Sequence, residues 1–252
     1  MAQTFRQSLF TPDLLKHITD EPKAKWTGTG FGVSQGSNPL PSVPAELAGI
    51  FQETAGSHSP LTGVVRLDTQ FTRASFESEL RQKRPVVHIA THFDSEPGVA
   101  ANSALLLGDG PLSLAEIASG TRLFEGVDLL TLSACNTAFK NGYQDGREVD
   151  SFGTIAQRQG AKGVIATLWS VNDPATANLM QMMYRLRQET PGMAKGEALR
   201  LAQVAMINGQ LKGDAGEADR AAIPTHKIGV ARAGDWSHPY YWAPFILLGN
   251  WR

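Results

Sequence analysis

One cysteine in 252 residues excludes an internal disulfide, and with it the small secreted scaffold held together by cross-links. A reducing cytoplasm is the expected compartment. Any role for Cys135 must come from thiol chemistry or from packing. An excess of one charge is missing as well: 23 Lys and Arg stand against 24 Asp and Glu, a formal net charge of −1, with a pI near 6.6. That balance supplies no basic surface for phosphates, so a direct nucleic-acid ligand is not expected. Long apolar runs are also lacking. They reach about five to eight residues, far short of the roughly twenty that cross a bilayer. The first twenty residues lack the charged-then-apolar order of a signal peptide, so no membrane association is expected. Internal repeats and low-complexity tracts are absent too.

What the chain does have is enough apolar material, 42% of residues, to bury one sizeable core. Short apolar runs alternate with amphipathic ones. GTGFGVSQG (28–36) is glycine-rich and strand-like, and Pro39, Pro41 and Pro44 bar a central strand after it. Pro44 suits a helix start, with Leu47, Ile50 and Phe51 at helical spacing. FTRASFESELRQK (71–83) reads as a helix stopped by Pro85. VVHIA (86–90), ALLLG (104–108), VDLLTLSA (127–134) and GVIATLWSV (163–171) read as strands. Ser113 and Glu116 form a capping box for a short helix over 114–118. Helices are expected over 151–160, from Asp173-Pro174 onward, and over 194–210. A last strand falls near 245–248. The polar stretches 138–150 and 212–236 read as exposed loops, open to self-cleavage or to ordering by a partner. Strand–helix alternation implies an α/β fold with a mostly parallel sheet covered on both faces. Residues 1–27 are expected to be a tail or linker, and 28–252 the folded domain.

In an open parallel sheet, ligands bind beyond the carboxyl ends of the strands. VVHIA runs into Thr91-His92, and VDLLTLSA runs into Cys135. Parallel strands bring both side chains to one edge. A cysteine nucleophile needs that arrangement, because an imidazole can take the thiol proton and later protonate the leaving amine. Taken alone, Cys135 would more often be core packing. His88, four residues before His92, falls inside the strand and reads as a hydrogen-bonded core or supporting residue. Zinc is not expected, since no Asp, Glu or second Cys follows the two histidines at ligand spacing. No other cofactor motif is present.

The ordered blocks HIATH (88–92), LLLGDG (105–110), LSLAEI (112–117), GVDLLTLSACNTA (126–138), QGAKGVIATLWSVND (159–173), GEALRLAQ (196–203) and HPYYWAPFILLGNWR (238–252) resemble the CHAT domain. That caspase- and separase-related domain often accompanies tetratricopeptide repeats. The resemblance covers roughly residues 30–252. It implies a caspase-like α/β/α sandwich and a cysteine endopeptidase with His92 and Cys135 as a catalytic dyad. It also implies a protein or peptide substrate, and regulation by a repeat-containing or sensor partner. The alternative is an inactive member acting as an interaction module. Caspase-like enzymes usually carry Gly after the catalytic His, where a backbone N–H serves the oxyanion hole. This chain has Phe93 there, which keeps the N–H and adds bulk. The resemblance makes Asp173 a specificity-pocket acid for a basic residue before the cut, against its plain role at a helix start. Trp169 and Ser170 would line the pocket wall, and Asp150 would reach it from the loop. Tyr240, Tyr241 and Trp242 read as core packing. A rival motif, Gly32-Val33-Ser34-Gln35-Gly36, matches a serine-hydrolase elbow but lacks the helix that must follow it.

Overall fold

The computed structural model describes residues 25–52, 59–94, 103–133, 147–169, 171, 173–211 and 236–252. The chain runs through β1 (Thr27–Gly32), α1 (Val43–Ile50), β2 (Phe51–Gln52) and β3 (Leu61–Leu67). A 3-10 turn at Asp68–Gln70 leads to α2 (Arg73–Leu80), β4 (Val86–Ala90), β5 (Phe93–Asp94), β6 (Ala104–Leu107) and β7 (Gly110–Ser113). Then come α3 (Leu114–Ser119), β8 (Leu129–Ser133), α4 (Arg147–Arg158) and β9 (Gly163–Thr167). α5 (Asp173–Glu189), α6 (Lys195–Ile207), α7 (Pro239–Trp242) and β10 (Phe245–Gly249) complete it.

Among the described residues, seven strands form one sheet in the order β10-β9-β8-β4-β1-β3-β2. Every pairing in it is parallel except that of β10 with β9. Fully buried strands must be apolar on both faces, and all five residues of β4 and of β8 are buried. One face packs on α1, α5 and α6 through Leu47, Met180, Tyr184, Leu199 and Met206. The other packs on α2, α3 and α4 through Phe76, Ile117 and Phe152. On that second face Phe31, Phe71 and Phe76 stack with centroids 5.0–5.8 Å apart. Each such ring contributes about 1.5–3 kcal/mol on burial. The alternating glycines of β1 let α1 come close. A Cβ at Gly30 would sit 2.8 Å from the Phe51 ring and 3.0 Å from Leu47.

Ser113 and Glu116 cap α3 reciprocally, as the sequence predicts. Thr72 and Ser75 cap α2 in the same way, a box the sequence reading did not single out. Hydrogen bonds from the Ser113 hydroxyl and N–H, with Arg73 alongside, pull the Glu116 carboxyl down to about 2.

Several expectations need correction. ALLL (104–107) does not join the main sheet. It pairs antiparallel with β7 across a two-residue turn, and with β5. A parallel neighbour would have needed a long crossover, which Gly108-Asp109 cannot provide. The strand expected over 163–171 ends at Thr167, so Trp169 lies past it. The stretch 138–150 is not all loop, because α4 already begins at Arg147. Its first residues are charged and showed no apolar period. Trp26, expected in the tail, is 1% exposed and sits in the core. Trp236, expected in a loop, is buried as well. β3 had no assignment, because Gly63 and Arg66 interrupt its apolar pattern. No described helix is long and apolar enough to cross a membrane.

Candidate active site at the carboxyl edge of the sheet

β4 and β8 are adjacent and parallel, with Val86 opposite Leu129 and Ala90 opposite Ser133. Their carboxyl ends therefore open on one edge, as the sequence predicts for the strands bearing the candidate dyad. His92 stands two residues past Ala90. It is 6% exposed, and its Nε2 lies 2.5 Å from the Asn38 carbonyl oxygen. A carbonyl only accepts, so Nε2 carries the proton and the lone pair of the neutral ring is on Nδ1. The backbone of His92 is strapped down too. Leu106 N–H donates to the His92 carbonyl (3.0 Å), and the Thr91 hydroxyl donates to the Leu106 carbonyl (2.6 Å).

Phe93 opens β5 opposite Leu105. Its side chain is 5% exposed and lies edge-on to Phe152, with centroids 6.0 Å apart. The ring is spent on the core between β5 and α4. His92 and Leu106 form a hydrogen-bonded pair, so Phe93 and Leu105 are the alternate, unbonded pair. Its N–H points away from β6.

His88 lies wholly inside the other core face. Its Nε2 is 2.9 Å from Glu46 Oε1, its Nδ1 is 3.2 Å from the Tyr184 hydroxyl, and that hydroxyl is 2.7 Å from Thr131 Oγ1. Burial pushes the Tyr184 hydroxyl well above its ordinary pKa, the Thr131 hydrogen bond opposes this, and the Glu46 charge adds to it. Tyr184 therefore stays protonated. With both ring nitrogens engaged, His88 ties β4 to α1 and α5. It has no nitrogen left for a substrate.

Trp169 donates from its indole N–H to the Tyr240 carbonyl at 3.0 Å and packs on the core, while Tyr241 is buried. The backbone puts Asp150 in the first turn of α4 and Asp173 at the opening of α5. Cys135 and Ser170 lie outside the described residues, as do 138–146 and 212–235 of the two expected loops. Ser34 stands on no strand-to-helix elbow. Its hydroxyl is 2.9 Å from Asp68 Oδ2, and α1 begins only at Val43.

Sequence reasoning missed Asn38, Glu46, Asp68 and Tyr184. Asn38 acts through its main chain, which carries no residue-type signal. Glu46 did carry one. It lies one turn before Ile50 on the buried face of α1, and a carboxylate there demands a polar partner.

These features define an α/β/α domain of the caspase type, with a histidine presented at the carboxyl edge of a mostly parallel sheet. The CHAT domain family matches residues 5–250, and the chain belongs to that family. The Arg-specific cysteine proteinase gingipain R (RGPB) superposes with a TM-score of 0.51 at 10% identity. The match covers 95% of this chain and 51% of the gingipain chain, so this chain spans about half the length of that relative. That likeness is one of fold. Two structures of pyridoxal kinase from Staphylococcus aureus, one with AMP-PCP and pyridoxal and one with ADP, reach a TM-score of 0.31 at 11% and 12% identity. They cover 76% of this chain and 91% of theirs, a level at which no common fold is implied. No curated protein sequence matches the chain.

Proposed function

We propose that the protein is a cysteine endopeptidase in which Cys135 is the nucleophile and His92 Nδ1 its base. The observation that carries this reading is the fixed imidazole at the carboxyl edge of β4. Its Nε2–H is committed to the Asn38 carbonyl, beside the strand whose sequence continues into the chain's only thiol. Cys135 follows Ser133 by two residues, as His92 follows Ala90. That shared spacing along two adjacent parallel strands is what supports pairing the two residues in one site.

The chemistry follows from that tautomer. Nδ1 takes the proton from the Cys135 thiol, and the thiolate attacks the scissile carbonyl carbon. Negative charge passes to the carbonyl oxygen, received by the N–H groups of Phe93 and Cys135. The carbon–nitrogen bond breaks as the imidazolium gives its proton to the leaving amine, which departs and leaves a thioester. Water, deprotonated by Nδ1, adds to the thioester and releases the carboxylic acid and the thiol. The N–H of Phe93, directed away from β6, supports its part. Its ring, held against Phe152, lies in the core, so the bulk replacing the usual glycine is taken up there. Asp173, Asp150, Trp169 and Ser170 are proposed to shape the pocket for the residue before the cut, and a repeat-containing or sensor partner to regulate it.

The test is a cleavage profile on a peptide library with the wild type and Cys135→Ala. Wild type is expected to cut at one class of residue and Cys135→Ala at none. Equal cutting by both overturns the assignment of the nucleophile. No cutting by a folded wild type, alone or with its partner, makes the protein an interaction module.

A further inference from the structure

We propose that Asp68, a residue outside the dyad, is a positioning residue that aims the Asn38 carbonyl at His92 and thereby fixes which imidazole nitrogen can act as base. This deepens the peptidase reading and rests on it for its consequence at Cys135.

Asn38 sits on an exposed loop tip. Residues 35–39 are all exposed, and the buried residues that bracket them are Ser34 and Leu40. A main-chain carbonyl on such a tip has no intrinsic reason to hold one direction. Its direction is set at the loop's base. Leu40 N–H donates to the Ser34 carbonyl at 3.0 Å and closes the loop. Ser34 is in turn clamped by the Asp68 carboxylate. Oδ1 accepts from Ser34 N–H at 2.6 Å and from Gln35 N–H at 3.2 Å, and Oδ2 accepts from the Ser34 hydroxyl at 2.9 Å. Charge-assisted bonds to consecutive main-chain N–H groups fix direction more firmly than neutral ones.

Asp68 itself is held unusually hard for a surface turn. Its φ is +50°, a left-handed conformation in which non-glycine residues are uncommon and which the surroundings must enforce. The Asp68 carbonyl accepts from Phe71 N–H (2.9 Å), and the Phe71 carbonyl accepts from Gly108 N–H (2.7 Å). A Cβ on Gly108 would lie 1.9 Å from the Asp68 carbonyl oxygen, so only glycine allows this approach. Gly108 belongs to the turn after β6, and Leu106 of β6 straps the His92 backbone. The contacts thus close a ring from His92 through Leu106, Gly108, Asp68, Ser34 and Asn38 back to the imidazole Nε2. The backbone of His92 and the acceptor for its ring are referenced to the same β6–β7 turn. Asp68 is the only side-chain carboxylate within that ring, and its loss opens it at the loop base.

Asp68→Gly removes the carboxylate and suits the left-handed backbone. Asp68→Asn keeps an oxygen for the two N–H groups and also tolerates that conformation. Two readouts apply to the whole chain. Long-range proton–nitrogen NMR of the His92 ring is expected to show the Nε2–H tautomer in wild type, a mixture in Asp68→Gly, and recovery in Asp68→Asn. Iodoacetamide alkylation against pH reads the only thiol, Cys135. At pH 6, Asp68→Gly is expected to react about tenfold more slowly than wild type, equivalent to a one-unit shift of the profile. Its profile should move toward that of His92→Ala. Folding is checked by near-ultraviolet circular dichroism. If Asp68→Gly does not fold, Ser34→Ala, which deletes one bond of the clamp, is expected to shift both readouts the same way by less. A folded variant with the wild-type tautomer overturns the inference. If His92→Ala alkylates like wild type, the dyad reading fails instead. The tautomer measurement then still decides the role of Asp68.

Discussion

Replacing His92 by alanine is expected to lower kcat/KM for peptide cleavage by about 10²–10⁴-fold, the range for loss of a positioned acid–base group. KM should change little, because the imidazole acts on the thiol and on the leaving amine. The size of the loss should depend on pH. Without His92 the Cys135 thiol reverts toward ordinary behaviour, with a pKa of about 8.5. The attacking thiolate is then scarce at pH 6 and abundant at pH 9. The deficit in acylation should therefore narrow as pH rises. A deficit independent of pH would assign His92 to leaving-group protonation alone. Cys135→Ala should abolish turnover throughout, since no second thiol exists to replace it. Steady-state kinetics across that pH span check both variants.

Asp128→Ala is expected to destabilise the fold by about 3–5 kcal/mol, the range for breaking a buried ion pair from one side. Asp128 immediately precedes β8 and is buried. Its Oδ1 accepts from Lys195 Nζ at 3.0 Å, and its Oδ2 accepts from the Trp26 indole N–H at 3.0 Å. The Arg187 guanidinium carbon lies 4.6 Å above the Trp26 ring centroid. Burial depresses the Lys195 pKa, and the Asp128 carboxylate is what pulls it back up. Removing Asp128 strands an ammonium that is fully buried. The double variant Asp128→Ala with Lys195→Met, which removes both charges, should regain most of the loss. Denaturant midpoints of the three proteins measure this. A single variant within about 1 kcal/mol of wild type would contradict the account, since that is the scale of an exposed pair. The network is also what makes Trp26 part of the domain. It anchors the chain just before β1 to the start of β8 and to α5 and α6.

How far the sequence reached can be seen residue by residue. VVHIA, VDLLTLSA and GVIAT were legible because strands buried on both faces run nearly continuously apolar. The caps at Ser113 and Asp173-Pro174 pointed to helix starts because orphan N–H groups select particular residue types. ALLL was legible as a strand but not as part of a separate hairpin. Apolarity reports burial, while the direction of pairing is set by the length of the connection. β3 was missed because Gly63 and Arg66 blunt its pattern. Gly63 is nonetheless required, as a Cβ there would meet the Gly28 carbonyl oxygen of β1 at 2.3 Å. At the site, the sequence pointed to His92 as a residue type at a strand end. It did not reveal the Asn38 carbonyl that sets the tautomer, because any residue can offer a carbonyl. The Asp68 clamp and the Glu46–His88 pair join residues 34 and 42 positions apart. Such pairings follow from tertiary placement and leave no local periodicity to read.

Covalent labelling reads the proposed dyad itself. The protein is treated with a peptide carrying an acyloxymethyl ketone, and the adduct is mapped by mass spectrometry in wild type, His92→Ala and Cys135→Ala. A single adduct is expected on Cys135 in wild type, formed far more slowly at pH 6 in His92→Ala and absent in Cys135→Ala. Labelling that persists in Cys135→Ala, or that proceeds at the wild-type rate without His92, rules out that dyad.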